Sequence, residues 1–113
     1  MDCIFCQIVA GKVPGEIIYQ DEEVAAFRDI NPQAPLHLLI IPKRHVASLA
    51  NLSKEETPLA GHMIEVANQL ARRKGVSESG YRLVINSGAE GGQLVPHLHL
   101  HLLGGRRLSG TLG

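Results

Sequence analysis

Three histidines, His97, His99 and His101, alternate with leucines in the stretch PHLHLHLL at positions 96–103. The chain has six histidines, so half of them fall within five residues. Successive side chains of a β-strand point to opposite faces. The alternation therefore predicts one imidazole face and one leucine face, with neighbouring histidine Cα atoms roughly 7 Å apart. A slip of one residue would bury all three imidazoles, so the leucines set the register. Imidazole titrates near neutrality and serves as nucleophile, proton donor, anion binder or metal ligand. Three readings follow: a solvated amphipathic strand, a metal site, or a catalytic row. Lysine, threonine or glutamate would suit a plain solvent face better than three imidazoles.

The preceding loop bears on the choice. NSGAEGGQ, residues 86–93, leads directly into the histidine row. Glycines let backbone N–H groups converge on one centre, and such concavities hold phosphate oxygens. Glycine-rich amides beside a line of imidazoles point to phosphoryl chemistry. A second constellation is the CxxC of Cys3 and Cys6. In a reducing compartment this spacing reads as metal-binding or redox-active. Two thiolates and two histidines complete a tetrahedral zinc site. The plain alternative is a pair of reduced thiols on one side of a short helix.

These residues need elements to hold them. A short helix is expected over residues 3–11, ended by Gly11 and a turn at Pro14-Gly15. EIIYQ (16–20) and VAAFRD (24–29) read as two strands joined by a DEE hairpin. NPQAP (31–35) is a rigid loop. LHLLIIP (36–42) is apolar on both faces, as a central strand covered on both sides must be. The one long helix starts either at Ser53, through a capping box with Glu56, or at the Thr57-Pro58 pair. Leu59, Met63, Val66 and Leu70 give it one apolar face. Arg72, Arg73 and Lys74 suit its C-terminal end, and Gly75 stops it. His62 aligns with Glu65, Gln69 and Arg72 and is expected to face solvent without a role. YRLVIN (81–86) and HLHLHLL (97–103) are the last strands. Too few crossover helices are present for a parallel sheet. The fold class is α+β, a mostly antiparallel sheet of about five strands with one long helix and a short N-terminal helix.

Length and composition agree with one domain over residues 1–113. Hydrophobic residues make up 44 % and charged residues 19 %, an ordinary globular balance. Formal net charge is zero, which argues against bulk nucleic-acid or anionic-membrane binding. The pairs Lys43-Arg44 and Arg106-Arg107 read as solvated surface. No segment has the length of apolar residues that a membrane span requires. Asp2 stands where a signal peptide would be basic, so a cytoplasmic location is expected.

HLHLHLL matches the alternating signature of the histidine triad (HIT) superfamily. FRDINPQAPLHLLIIPKRH (27–45), GYRLVINSGAEGGQ (80–93) and HLHLHLLGGR (97–106) resemble its Hint branch, the histidine triad nucleotide-binding proteins. The likeness runs over essentially the whole chain. It implies a HIT-like fold and a homodimer whose two sheets join about a two-fold axis. It also implies hydrolysis of purine nucleoside phosphoramidates, such as adenosine 5′-monophosphoramidate and aminoacyl-AMP adducts. No cofactor is required for that chemistry.

Carried over, His99 attacks the α-phosphorus and forms a nucleotidyl-histidine, the amine leaves, and water releases AMP. His101 contacts the phosphate or the leaving group, His37 orients the row, and His97 completes it. Asp29 binds the ribose hydroxyls, since a carboxylate accepts two hydrogen bonds. Ile30 lies against the base, while Asn86, Gly92, Gln93 and Leu94 line the ribose–phosphate path. Some relatives, including galactose-1-phosphate uridylyltransferases, are similar in using a CxxC, a later histidine and the first triad histidine for a structural zinc. That set is Cys3, Cys6, His45 and His97 in this chain. Leu94 stands where many Hint proteins carry a polar side chain, and Pro96 where an aromatic is common. The tail RRLSGTLG lacks a tryptophan that some relatives have.

Other functions remain open on the residues. They are a nucleotide-binding interaction module with incidental hydrolysis, a dinucleoside polyphosphate hydrolase of the same superfamily, and a metal protein that uses the triad as ligands.

Overall fold

A computed structural model describes residues 3–113. The Asp2 reading lies outside the described residues. Five strands form one antiparallel sheet: β1 (Ile17–Gln20), β2 (Val24–Arg28), β3 (Leu36–Pro42), β4 (Tyr81–Val84) and β5 (Leu100–Gly104). Their spatial order is β1-β2-β3-β5-β4. A short helix, α1 (Ile4–Val9), and a long one, α2 (Thr57–Arg73), complete it. The expected α+β architecture is therefore present.

The sheet is covered differently on its two faces. Leu38, Ile40, Leu98, Leu100 and Leu102 pack with Met63, Val66 and Leu70 of α2 in the larger core. Leu39, Ile41, Ala25 and Phe27 pack with Phe5 and Ile8 of α1 on the opposite side. This two-sided burial is why β3 is apolar at nearly every position. His37 belongs to the α1 side of β3, and His99 and His101 to the same side of the chain beside it.

Both expected helix starts are used. A 3-10 turn over Lys54–Glu56 precedes α2, and the Ser53 N–H donates to Glu56 Oε1 at 3.0 Å. The α-helix then begins at Thr57-Pro58. The strand expected over 97–103 pairs only from Leu100. Pro96 has no N–H to offer a ladder. The Leu98 N–H donates instead to the Val46 carbonyl at 2.7 Å, and the His97 carbonyl takes a side-chain partner described below. β4 likewise ends at Val84, before Ile85 and Asn86.

His62 departs from expectation. It is half-buried, and its Nε2 lies 2.7 Å from Asp21 Oδ2. Asp21 also accepts from the Tyr19 hydroxyl and from the N–H groups of Glu23 and Val24. The β1-β2 hairpin thus closes over one edge of α2. Helical periodicity shows which face meets the core, but not that a hairpin turn folds over the flank. Among the described residues, no helix is long and apolar enough to cross a membrane.

Candidate active site

The α1 side of the sheet holds a cleft of about 400 Å³. Its floor carries His37, His99 and His101. Ile4, Phe5 and Ile8 from α1, with Phe27 and Leu39, form apolar walls. Asp29 and Ile30 stand on one rim, and Asn86, Gly92, Leu94 and Val95 on the other. The wall residues of α1 were not singled out from sequence. Their signal was the apolar spacing within IFCQIV around the CxxC, which reads equally well as core.

Backbone groups assign a proton position to His37, His99 and His97, and His37 passes one on to His101. The Gln33 N–H donates to His37 Nδ1 at 3.0 Å, so a neutral His37 carries its proton on Nε2. That Nε2–H faces His101 Nδ1 at 2.9 Å, which leaves the His101 proton on Nε2. His99 Nδ1 donates to the His97 carbonyl at 2.7 Å, leaving an unprotonated Nε2. His97 Nε2 donates to the Pro42 carbonyl at 2.8 Å, leaving an unprotonated Nδ1. One short segment therefore presents a lone pair at His99, a hydrogen-bond donor at His101 and a second lone pair at His97.

Packing keeps these rings in place. Phe5 sets its ring edge-on to His99 at 5.2 Å and to His97 at 5.8 Å. His99 meets His101 edge-on at 4.9 Å. His99 is only 6 % exposed, so the available Nε2 opens toward the cleft and not to bulk solvent. Burial, aided by the neighbouring His99 and His37, holds the His101 pKa down to about 4. Burial also lowers His37, against an opposing pull from Asp29. Asp29 Oδ2 lies 3.4 Å from His37 Nε2, and its Oδ1 accepts from the Asn31 N–H at 2.8 Å.

Asp29, His37 and His101 are close enough to one another to share a metal ion. The facing atoms of His37 and His101 are already joined by a proton, however, which uses the positions that a cation would need.

The glycine loop behaves differently from a fan of free amides. The Gly91 and Gln93 N–H groups donate to the Gly88 carbonyl, and Gly92 to Ala89. Gly88 and Gly92 both have positive φ, which closes the loop into tight turns. Asn86 Nδ2 donates to the Gly91 carbonyl at 2.7 Å. Gln93 turns inward: Oε1 accepts from the Gly88 N–H, and Nε2 donates to the carbonyls of Ala47 and Val95. It braces the loop and does not line the cleft, unlike Asn86, Gly92 and Leu94.

Behind His99, Cys3, Cys6, His45 and His97 converge, with ligand atoms all within 4.8 Å of one another. His97 Nδ1 lies 3.2 Å from Cys3 Sγ, 3.6 Å from Cys6 Sγ and 3.2 Å from His45 Nδ1. His45 Nδ1 is 3.5 Å from Cys6 Sγ. A tetrahedron around zinc, with its usual bond lengths, has N–N edges of about 3.3 Å and S–N edges of about 3.5 Å. The observed edges fit such a group. Burial, then Cys3, raises the Cys6 thiol above its usual pKa.

Comparison with known proteins agrees with this geometry. Residues 10–108 match the HIT domain family. The chain belongs to that family. Purine nucleoside phosphoramidase of Escherichia coli strain K12 is 47 % identical over 111 residues, covering 98 % of this chain and 93 % of the relative. A HIT family hydrolase from Legionella pneumophila Philadelphia 1 superposes with a TM-score of 0.96 at 46 % identity, covering 99 % of this chain and all of its own. A histidine triad protein from Clostridium difficile gives a TM-score of 0.96 at 43 % identity, covering 99 % of this chain and 97 % of its own. The HIT fold and a place among HIT hydrolases are thereby established.

The depressed imidazoles set a pH dependence of stability. Folded His37 and His101 are harder to protonate than they are in the unfolded chain. Between the ordinary value of 6.5 and about 4, the unfolded chain takes up protons that His101 in the fold refuses. Stability is then complete above pH 6.5 and is lost as pH falls through that window. Thermal melting at pH 7, 6 and 5 is expected to show a falling Tm, with a shallower slope in His101→Gln. An equal slope in the variant rules out this origin.

Proposed function

We propose that this chain is a single-domain hydrolase of purine nucleoside phosphoramidates, acting through a nucleotidyl-histidine. The supporting observation is the proton arrangement: a lone pair on His99 Nε2 stands next to a donor on His101 Nε2 in an apolar-walled cleft. A nucleophile must offer a lone pair, and a developing phosphoryl charge needs a donor beside it. The likeness to an enzyme named purine nucleoside phosphoramidase supports the same substrate class.

His99 Nε2 bonds to the α-phosphorus, and the P–N bond to the amine breaks. The amine leaves with that electron pair and takes a proton from solvent at the cleft mouth. The His99 ring becomes cationic, and the His97 carbonyl stabilises it through the Nδ1–H. His101 Nε2–H donates to a phosphoryl oxygen, with its ring oriented by His37. Water then attacks phosphorus and gives a proton to solvent; the P–Nε2 bond breaks, its electron pair returns to the His99 ring, and AMP is released. Asp29 takes the ribose hydroxyls, and Ile30 with the aromatic and aliphatic wall takes the purine. Asn86, Gly92 and Leu94 flank the ribose and phosphate, with Gln93 supporting them from within.

The Cys3–Cys6–His45–His97 group holds a structural zinc in this reading. The ion supplies a cross-link between α1 and the segment carrying His99, and takes no part in the reaction. The unprotonated Nδ1 of His97 supports this assignment, since a histidine ligates through a neutral nitrogen. Reduced thiol ligands suit a cytoplasmic location. The sheet's open edges leave unpaired backbone groups, consistent with a homodimer that joins two sheets.

His99→Ala is expected to lower phosphoramidase turnover by about 10³-fold or more while AMP still binds. Mass spectrometry of quenched enzyme should map the nucleotidyl adduct to His99. Nucleotide binding without turnover in the unaltered chain would favour the interaction-module reading. Elemental analysis should find about one zinc per chain, and a chelator should lower Tm. No zinc and an unmoved Tm would remove the structural-metal assignment.

A further inference from the structure

The hydrogen bond between His37 Nε2 and His101 Nδ1 has no direction of its own. With the proton on His37 Nε2, His101 keeps its own proton on Nε2 and donates into the cleft. The reverse arrangement, with the proton on His101 Nδ1, makes the same contact but turns a lone pair into the cleft. A group outside the pair must decide between them. Two such groups meet His37: the Gln33 N–H, 3.0 Å from Nδ1, and Asp29 Oδ2, 3.4 Å from Nε2. In the phosphoramidase reading Asp29 is taken up by the ribose hydroxyls when substrate binds. The Gln33 N–H then decides alone.

That N–H belongs to the loop NPQAP between β2 and β3, where Pro32 and Pro35 bring no N–H of their own. Other polar groups of the loop bond locally: Asp29 Oδ1 accepts from the Asn31 N–H, and Gln33 Nε2 donates to the Asn31 carbonyl. A hold from elsewhere comes from the three residues that end and follow β5. Gly104 pairs with Leu36 at the start of β3. Gly105, with φ of +94°, lies so close to Pro35 that a Cβ there would stand 2.9 Å from the proline ring. Arg106 then donates from Nη2 to the Gln33 carbonyl at 2.9 Å and from Nη1 to the Arg107 carbonyl at 3.0 Å. The Gln33 carbonyl and N–H flank one Cα, so fixing the first restricts where the second can point. A guanidinium that bridges two carbonyls is a rigid clamp, and its charge strengthens both bonds. We propose that Arg106 is a positioning residue: it aims the Gln33 N–H at His37 and so keeps the His101 donor turned into the cleft. Its effect on turnover rests on the phosphoramidase reading, whereas its effect on the proton positions does not.

Nitrogen-15 NMR of the histidine rings tests the proton positions in an Asp29→Ala background, where Gln33 decides alone. With Arg106 present, neutral His101 should carry its proton on Nε2. With Arg106→Ala added, a form protonated on Nδ1 should appear beside it. Arg107→Ala in the same background removes a neighbouring charge but leaves both carbonyls in place, and should give the first spectrum. In the chain with Asp29 intact, Arg106→Ala should lower kcat for an AMP phosphoramidate about tenfold with KM unmoved, and Arg107→Ala should change neither. An unchanged His101 tautomer on adding Arg106→Ala overturns the proposal, whatever happens to kcat. The mixed tautomer in Asp29→Ala alone also overturns it and gives the decision to Asp29. Equal effects of Arg106→Ala and Arg107→Ala overturn it in favour of net charge. The expected spectra together with no turnover by the unaltered chain uphold the positioning role and overturn the phosphoramidase reading instead.

Discussion

Everything at this site depends on where four imidazoles carry their protons. A neutral imidazole offers one donor and one acceptor, and a backbone group that can only donate or only accept decides between them. The Gln33 N–H and the carbonyls of His97 and Pro42 make that decision for His37, His99 and His97. His101 inherits its state through His37. Three residues that look equivalent along the chain thereby present different groups: an Nε2 lone pair at His99, an Nε2 donor at His101 and an Nδ1 lone pair turned to the cysteines at His97.

The fold can be read as the means of placing those backbone groups. Pro42 ends β3, so its carbonyl falls beside His97. The segment 97–99 stays outside the ladder, which leaves the His97 carbonyl for the His99 ring. The leucines at 98, 100 and 102 anchor the same segment against α2. Helix α1 closes the other side, with Phe5 against both His97 and His99, and with its capping Cys3 and first-turn Cys6 next to His97. A change at Cys3 or Cys6 can reach His99 through one aromatic ring and one peptide group.

Much of this was legible in the chain, for identifiable reasons. Strict alternation of histidine and leucine has one structural solution, so the imidazole face was readable before any coordinates. The run LHLLIIP had to be covered on both sides. Ligand chemistry asked for two histidines beside Cys3 and Cys6, and the family resemblance implied His45 and His97. What was hidden depended on contacts between distant segments. The inward turn of Gln93 requires Ala47, and the engagement of His62 requires Asp21. The glycine loop is rich in amides as expected, but its two left-handed glycines fold those amides back on Gly88 and Ala89. Phe5 was indistinguishable from core, because a cleft wall and a core use the same residue types.

The central claim concerns protons, so nitrogen-15 NMR of the histidine rings tests it most directly. At pH 7 the neutral forms of His99 and His101 should be opposite tautomers. His99 should be protonated on Nδ1 with an unprotonated Nε2, and His101 protonated on Nε2. A His99 ring with its proton on Nε2, or both rings in the same tautomer, would contradict it.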